Sequence, residues 1–454
     1  MEAFREHLEH PVGRGLIDGA LGVAGGSLCG DLVSMSVRVD GTRVAVGWEA
    51  SGCGATSAAA SACASLAGDV MASGRISVAR VSAELGGLSP GKLHAAELVC
   101  DAFHSAMGVA VRETAALKED GARVAVAMSG GVDSAVAALL VGSGGFGVTV
   151  ELWRDPDNDA SASCCSASAV RAARALAHGL GIPHFTLDLR EEFRAGVVEP
   201  WLADHAAGLT PNPCVRCNGH VRLDAMLDFA QRLGAPALAT GHYARKDAEG
   251  RLRAAADPAK DQAYMLAATS PETLARLRFP LGELTKPEVR ALAAEAGLPV
   301  AGQAESQDLC FLAGTGKAAF VAKHGAADTP GDIVRDGVVV GRHAGQQGFT
   351  VGQRRGLRVA AAEPLYVLAK EGSTVVVGVK EQLQVSEVGV RDAVLADSPD
   401  SVRLRYRSRA VPCSVEGEAP DLRLTLAEPV HGVAPGQVAV LYRGDTVVGH
   451  GVIS

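Results

Sequence analysis

The sequence predicts a multidomain chain: an α+β domain, then an α/β domain on a parallel sheet, then a small β-rich domain and a C-terminal β-barrel. Three observations predict this. From about residue 121 short apolar runs alternate with helical patterns, the signature of a parallel, doubly wound sheet. Before that point Met35, Val37 and Val39 alternate with polar residues, Asp40-Gly41 makes a turn, and Val44 and Val46 resume the alternation. This hairpin precedes two helical stretches that start at Thr56 and Lys92. After about residue 326 the helical pattern gives way to short glycine-bounded strands at Gly331 to Gly341, Gly348 to Leu357, Leu365 to Leu368 and Thr374 to Val379. From about 384 the strands take the regular spacing of a small barrel. Domains are therefore expected at 1–108, 121–325, 326–383 and 384–454, with a polar linker at 109–120 that holds Arg112-Glu113 and Lys118-Glu119-Asp120.

Composition bounds the function. At 454 residues the chain exceeds one ordinary domain, and 48% hydrophobic with 21% charged residues is the balance of a soluble globular protein. A formal net charge of −8 argues against coating nucleic acid by bulk electrostatics, so any RNA contact must be a local basic patch. Residues 1–15 carry charge without an apolar core, and no long apolar run occurs, which predicts a cytoplasmic protein with no membrane partner. Ten cysteines at uneven spacing, without a secretory signal, read as reduced thiols for catalysis or metal binding.

The chain centres on Val124 to Met128, an apolar strand, followed by Ser129-Gly130-Gly131-Val132-Asp133-Ser134 and an alanine- and leucine-rich helix. A strand that breaks at glycines before a helix N-terminus is how the backbone binds an anion. The glycines admit close approach of N–H groups, Ser129 and Ser134 add hydroxyls, and Asp133 either holds Mg2+ or orders the loop. No lysine follows, so this is not a Walker A loop. The string resembles the pyrophosphate loop of ATP pyrophosphatases, which adenylylate a substrate oxygen and release pyrophosphate. Leu238 to Tyr243 is a further strand running into Gly241, at the same ligand-bearing end of the sheet.

Cysteines mark three other places. Thr210-Pro211-Asn212-Pro213-Cys214-Val215-Arg216-Cys217 puts two thiols three apart at a helix start, where the helix N-terminus and Arg216 favour thiolates. Cys310 sits in Glu305-Ser306-Gln307-Asp308-Leu309-Cys310-Phe311. Near the N-terminus Cys29, Asp31, Cys53 and His94 stand at the ends of predicted elements and are a possible four-ligand site for zinc or iron-sulfur, while Cys63 and Cys100 fall in helical patterns and read as core. Cys164-Cys165 read as idle loop thiols. Arg403, Arg405, Arg407 and Arg409 recur with period two, which predicts a basic stripe on one face of a strand.

Two resemblances follow from these motifs. Cys29-Gly30-Asp31, Gly52-Cys53-Gly54 and Lys92-Leu93-His94 are similar to the iron-sulfur cluster scaffold family, with Ala95 where that family has a third cysteine. From about 121 onward the nucleotide loop, Thr-Pro-Asn-Pro-Cys, Ala239-Thr240-Gly241-His242-Tyr243, Lys260-Asp261-Gln262-Ala263-Tyr264, Phe279-Pro280-Leu281-Gly282, Ser-Gln-Asp-Leu-Cys-Phe and Gly352-Gln353-Arg354-Arg355-Gly356-Leu357 occur in order. Together they resemble the tRNA-specific 2-thiouridylase family. That resemblance implies ATP-dependent exchange of the C2 oxygen of the wobble uridine for sulfur, on an adenine nucleotide α-hydrolase-like domain, with tRNA as substrate and a cysteine desulfurase or other sulfur donor as partner. It further implies that Ala127, Met128, Ser129, Gly130, Gly131, Val132, Asp133, Ser134 and Gly241 bind ATP with Mg2+, that Cys217 is the nucleophile, and that Cys310 carries a persulfide. By the same resemblance Asn212, Pro213 and Cys214 contact the target base, and Lys260, Asp261 and Gln262 contact the tRNA; the arginine stripe, with Arg405 and Tyr406, suits a grip on the tRNA backbone. Many members have an aspartate where this chain has Cys214. Three thiols, Cys214, Cys217 and Cys310, are the number that holds a 4Fe-4S cluster with one iron open, so a cluster and a persulfide cycle both stand as readings. The rival functions are an ATP pyrophosphatase acting on a small molecule and a non-catalytic iron-sulfur or sulfur carrier.

Overall fold

A computed structural model describes residues 2–25, 30–153, 167–304, 309–312, 316–325 and 328–454. They form two compact units, one of Met1–Arg190, Asp224–His242 and Arg276–Ser306, the other of Glu191–Leu223, Tyr243–Ala275 and Gln307–Ser454.

The first unit begins with helix α1 (Glu2–Glu9) and a three-stranded antiparallel sheet, β1 (Ala20–Gly25), β2 (Leu32–Asp40) and β3 (Arg43–Ser51), in that order. The alternation legible in β2 has a plain cause: period two turns Val33, Met35, Val37 and Val39 to the core. Helices α2 (Gly54–Ser65), α3 (Val70–Ser73), α4 (Val78–Glu84) and α5 (Leu93–Thr114) complete this part. α5 runs past residue 108, where the first domain was expected to end, because Ala106, Met107, Ala110 and Val111 are all still buried. The polar segment after it is not a loose tether either. Leu117 N donates to Arg232 O at 2.8 Å, Asp120 N to Gly234 O at 2.9 Å, and the Arg123 guanidinium to Leu233 O at 2.8 Å.

The parallel sheet follows as expected. It comprises β4 (Val124–Ala127), β5 (Gly145–Glu151), β6 (His184–Asp188), β7 (Ala237–Thr240) and the short strand Leu277–Arg278. The spatial order is Leu277–Arg278, β7, β4, β5, β6, with every pairing parallel. Helices α6 (Val132–Val141) and α7 (Ala167–Gly179) link its first strands. The edge strand β6 is covered by the N-terminal part. His184 N donates to Gly74 O at 2.8 Å, Arg112 donates to Asp188 O at 3.0 Å, and α5 comes so close that a Cβ on Gly108 would lie 1.8 Å from Thr186 O.

In the second unit Gly331–Arg335, Val338–His343, Tyr366–Glu371 and Thr374–Gly378 form a four-stranded sheet. Residues 348–357, expected as a strand, form turns instead. Gly352 (φ +86°) and Gly356 (φ +82°) reverse the chain there, and Phe349, Val351 and Leu357 are buried as anchors between the reversals. The last part is a closed barrel of six strands, Gln384–Leu395, Ser401–Arg403, Val411–Glu418, Asp421–His431, Val438–Arg443 and Thr446–Ile453, with the first and last paired. Val388, Val402, Leu424, Leu441 and Val448 are among the residues that fill its core. Among the described residues no helix is long and apolar enough to cross a membrane.

Candidate functional site

The nucleotide loop is built mainly from backbone. β4 ends at Ala127, Met128 and Ser129 follow, and Gly130 takes φ +79°, a conformation that strains any side chain. A Cβ on Gly130 would also lie 3.1 Å from Ala169 O and 3.5 Å from Ala173 N of α7. Gly131 is the N-cap of α6 and supplies no capping side chain, which leaves the first-turn N–H groups of the helix for an anion. Ser134 is a brace: its buried hydroxyl accepts from Ser129 N at 3.1 Å and donates to Gly131 O at 3.0 Å. Behind the loop Thr149 Oγ1 donates to Met128 O at 2.9 Å. At the end of β7, a Cβ on Gly241 would stand 2.9 Å from both Asp133 C and Ser134 N.

Sequence reading missed one residue here. Lys286, only 7% exposed, puts its Nζ 2.6 Å from Asp133 Oδ1. Lys286 opens the helix Lys286–Glu295, whose start is set by Thr285 and Glu288: Thr285 N and Oγ1 each meet Glu288 Oε2 at 2.7 Å. The lysine beside this loop thus comes from a distant segment. Thr285-Lys286-Pro287-Glu288 is legible only as a helix start, so nothing local marks the lysine as the partner of Asp133.

Asp31, Cys53 and His94 bring their ligand atoms within 4.8 Å of one another. Asp31 Oδ2 lies 3.3 Å from Cys53 Sγ and 3.4 Å from His94 Nε2, and Oδ1 accepts from Cys53 N at 2.9 Å. The Thr56 hydroxyl, 2.6 Å from Oδ2, is the main reason the carboxyl is held down at about 2, against the opposing pull of burial. His94 Nδ1 lies 3.0 Å from Gly91 O, a second contact that orients the ring with Nε2 toward the carboxylate. A carboxylate, a thiol and an imidazole suit a tetrahedral divalent metal such as zinc. Cys29 and Cys164-Cys165 lie outside the described residues. Ala95 is fully buried, as are Cys63 and Cys100, and burial pushes the Cys100 thiol up to about 12 and raises that of Cys63 as well.

The second unit holds the other thiols. Asn212 caps the helix Pro213–Cys217, its Oδ1 accepting from Cys214 N at 3.1 Å and Val215 N at 3.3 Å, with Pro213 at the first helical position. Cys214 is half-buried, and Cys217, one turn on, is 7% exposed. Arg216 Nε donates to Gly196 O at 2.6 Å. Cys310 is half-buried beside Phe311, whose ring is held edge-on by Trp201, Phe193 and Phe320 at 5.2, 5.8 and 5.1 Å. Residues 305–308 of its motif lie outside the described residues.

Several residues expected at the RNA are gathered here. Asn212 is hydrogen-bonded to the Tyr264 hydroxyl, and Tyr406 to Gln262, with Cys214 within electrostatic reach of Tyr406; burial raises both phenols. Lys260 is half-buried in the same turn. Thr210, Gln353, Arg405, Tyr406, Arg407 and Gln437 line a cleft of about 510 Å³. Thr210 is fixed by its N–H on Pro435 O at 2.8 Å and by Gln437 Nε2 on its carbonyl at 2.7 Å.

Two expectations are corrected. Asp261 does not present its carboxylate: the side chain is 1% exposed, pairs with Arg403 at 2.5 Å and accepts from Ala255 N and Ala263 N at 2.9 and 3.2 Å. The arginine stripe is not one strand face, because the strand stops at Arg403 and the chain turns. Arg403 goes inward to Asp261, Arg405 to the carbonyls of Val351 and Gly432, and Arg409 to Glu428 at 2.5 Å. Period two describes a strand; here buried acceptors draw Arg403 and Arg405 to different partners, and Arg409 pairs with the partly exposed Glu428.

Comparisons agree along the whole chain. Residues 2–114 match the NifU-like N terminal domain, 122–314 the tRNA methyl transferase HUP domain, 318–381 the tRNA methyl transferase PRC-barrel domain and 397–453 the aminomethyltransferase beta-barrel domain. A bifunctional protein NifU/MnmA of Rubrobacter xylanophilus is 45% identical over 475 residues, 99% of this chain and 97% of that protein. The tRNA-specific 2-thiouridylases MnmA of Sorangium cellulosum and Thermus thermophilus are 44% and 45% identical, each over 73% of this chain and over 92% and 94% of their own lengths.

Proposed function

Because the chain belongs to the tRNA-specific 2-thiouridylase family, in the form that carries a fused NifU-like domain, we propose that it is an ATP-dependent tRNA-uridine 2-sulfurtransferase. The uridine C2 oxygen attacks the α-phosphorus of ATP, pyrophosphate leaves, and sulfur then displaces AMP from C2. Adenylate is a good leaving group, which is why the reaction needs both a pyrophosphate cradle and a sulfur nucleophile. The observation that carries this reading is the loop Gly130 to Ser134, a helix N-terminus without its own lysine and paired through Asp133 with Lys286. Its N–H groups and Lys286 bind the departing pyrophosphate, Asp133 directs Lys286 and accompanies Mg2+, and Ala127, Met128 and Gly241 form the adenosine side.

Sulfur is delivered by Cys310 as a persulfide. Its terminal sulfur bonds to C2 as AMP leaves, and the Cys217 thiolate then attacks Cys310 Sγ. That step releases 2-thiouridine and leaves a Cys217–Cys310 disulfide, which a thiol reductant must reopen. The second reading rests on Cys214. Three thiols on two anchored segments are a donor set that fits a 4Fe-4S cluster, which when bound would supply sulfur without the disulfide. Asn212, Pro213 and Cys214 hold the base; Lys260, Gln262, Arg405 and Tyr406 hold the tRNA, and Asp261 acts by fixing Arg403. In the N-terminal part Asp31, Cys53 and His94, with Cys29, are the residues that would hold zinc or an iron-sulfur cluster, and a cysteine desulfurase would be the source of sulfur. In this division residues 121–325 carry the chemistry, and 326–383 with 384–454 grip the RNA, in the cytoplasm.

The test is pyrophosphate release from ATP with and without unmodified tRNA, alongside nucleoside analysis. Release that depends on tRNA and yields 2-thiouridine is expected. Release without tRNA and without a thionucleoside would leave a small-molecule pyrophosphatase as the better account. Anaerobic iron content separates the two sulfur readings: Cys214→Ala with full iron and full activity removes the cluster.

A further inference from the structure

Helix α7 stands between the nucleotide loop and the N-terminal part of the chain. Ala169, Ala172 and Ala173 are on the side that meets Gly130, whose Cβ, if present, would lie 3.1 to 3.6 Å from them. Arg171, Arg174 and His178 are on the opposite side, because steps of three and four residues return to one helix face. There Asp101 of α5 takes both arginines at once: Arg171 Nε at 2.6 Å and Nη2 at 2.5 Å, and Arg174 Nη1 at 3.1 Å. His178 Nε2 lies 3.0 Å from Gly74 O, so the N-terminal part holds α7 at two points. Arg174 is 8% exposed and lies near His104, His178 and His184, whose protonated forms burial and this guanidinium disfavour. The Asp101 carboxylate is therefore the counter-charge of a largely buried cation.

We propose that Asp101 is a positioning residue for the nucleotide loop: it fixes α7 against Gly130 and makes the NifU-like domain a structural part of the ATP site. The inference rests on the reading of Ser129 to Ser134 as the ATP loop. Gly130 packs close enough to the α7 backbone that even a Cβ would press on Ala169 O, so a held α7 adds to the bracing that Ser134 gives the loop. Without the clamp, ATP must order the loop as it binds, and that cost lowers affinity. The tRNA-binding residues are not part of this contact.

The experiment uses the full chain and titrates α,β-methylene ATP, an analogue that cannot release pyrophosphate. Asp101→Asn keeps the shape and removes the charge. Arg171→Gln removes a side chain that is 51% exposed and poses little threat to folding. Both are expected to raise the Kd for the analogue and the KM for ATP by about fivefold or more, within the usual range of intersite coupling, while kcat at saturating ATP and tRNA affinity hold. Arg171→Lys should recover most of the loss. Equal nucleotide affinity in wild type and both variants overturns the inference, and so does a parallel fall in tRNA affinity, which would mark general loosening. If the wild type does not bind the analogue, the ATP reading itself falls.

Discussion

At the Ser129 to Ser134 loop the groups proposed to meet phosphate are backbone N–H groups, set by a strand, two glycines and a helix start within about a dozen residues, and braced by Ser134 on Ser129 and Gly131. In the second unit the thiols and the side chains proposed to meet the RNA lie on separate segments, and residues beside them are held by remote partners. Phe311 is gripped by Trp201 and Phe320, Tyr264 donates to Val438 O at 2.8 Å, and Arg403 is drawn to Asp261. The difference teaches where each is vulnerable. A backbone site fails when its path is displaced, whereas a side-chain site loses one role at a time.

Cys310→Ser should remove thionucleoside formation to background while tRNA-dependent pyrophosphate release persists, because the activating half does not use the thiol. Paired nucleoside analysis and pyrophosphate assay check this, and loss of both would break the division. Lys286→Ala should cut pyrophosphate release by about 100-fold, the usual effect of removing one charge-stabilising donor, and leave tRNA affinity unchanged in filter binding. Gly241→Ala should push Asp133 and Ser134 out of place, lowering stability by about 1–3 kcal/mol in denaturant titration and raising the KM for ATP. The smallest effect concerns the cluster of Asp31, Cys53 and His94. Asp31 has a folded pKa of about 2, below its ordinary 3.8, so its carboxylate contributes stability that is present above pH 3.8 and lost as pH falls through 2. Thr56→Val removes the leading cause and should move that titration up toward 3.8, as followed by NMR.

Much of the first half of this comparison was legible in residue order. β4, the glycines and α6 are contiguous, so periodicity and turn chemistry are enough to place the strand, the glycine turn and the helix start. The hairpin of β2 and β3 and the burial of Cys63 and Cys100 were legible for the same reason. Lys286 was not, since a helix start looks alike whether its lysine faces solvent or Asp133. The arginine run misled because period two is a property of strands, and a strand of three residues ends before the pattern does. The polar stretch after Thr114 read as a linker because nothing local shows that Arg232, Leu233 and Gly234 accept its hydrogen bonds.

What the sequence determined by itself is the set of elements and motifs whose information is local: the parallel sheet, the glycine loop, the capped thiol helix after Pro211, the order of the domains. Tertiary structure alone decided which distant groups complete them. Lys286 came to Asp133, Asp101 to Arg171 and Arg174, Asp261 to Arg403, and His94 to Asp31. The physical reason is that a buried charge needs a partner within a few ångströms, and only packing decides which remote residue is there to meet it.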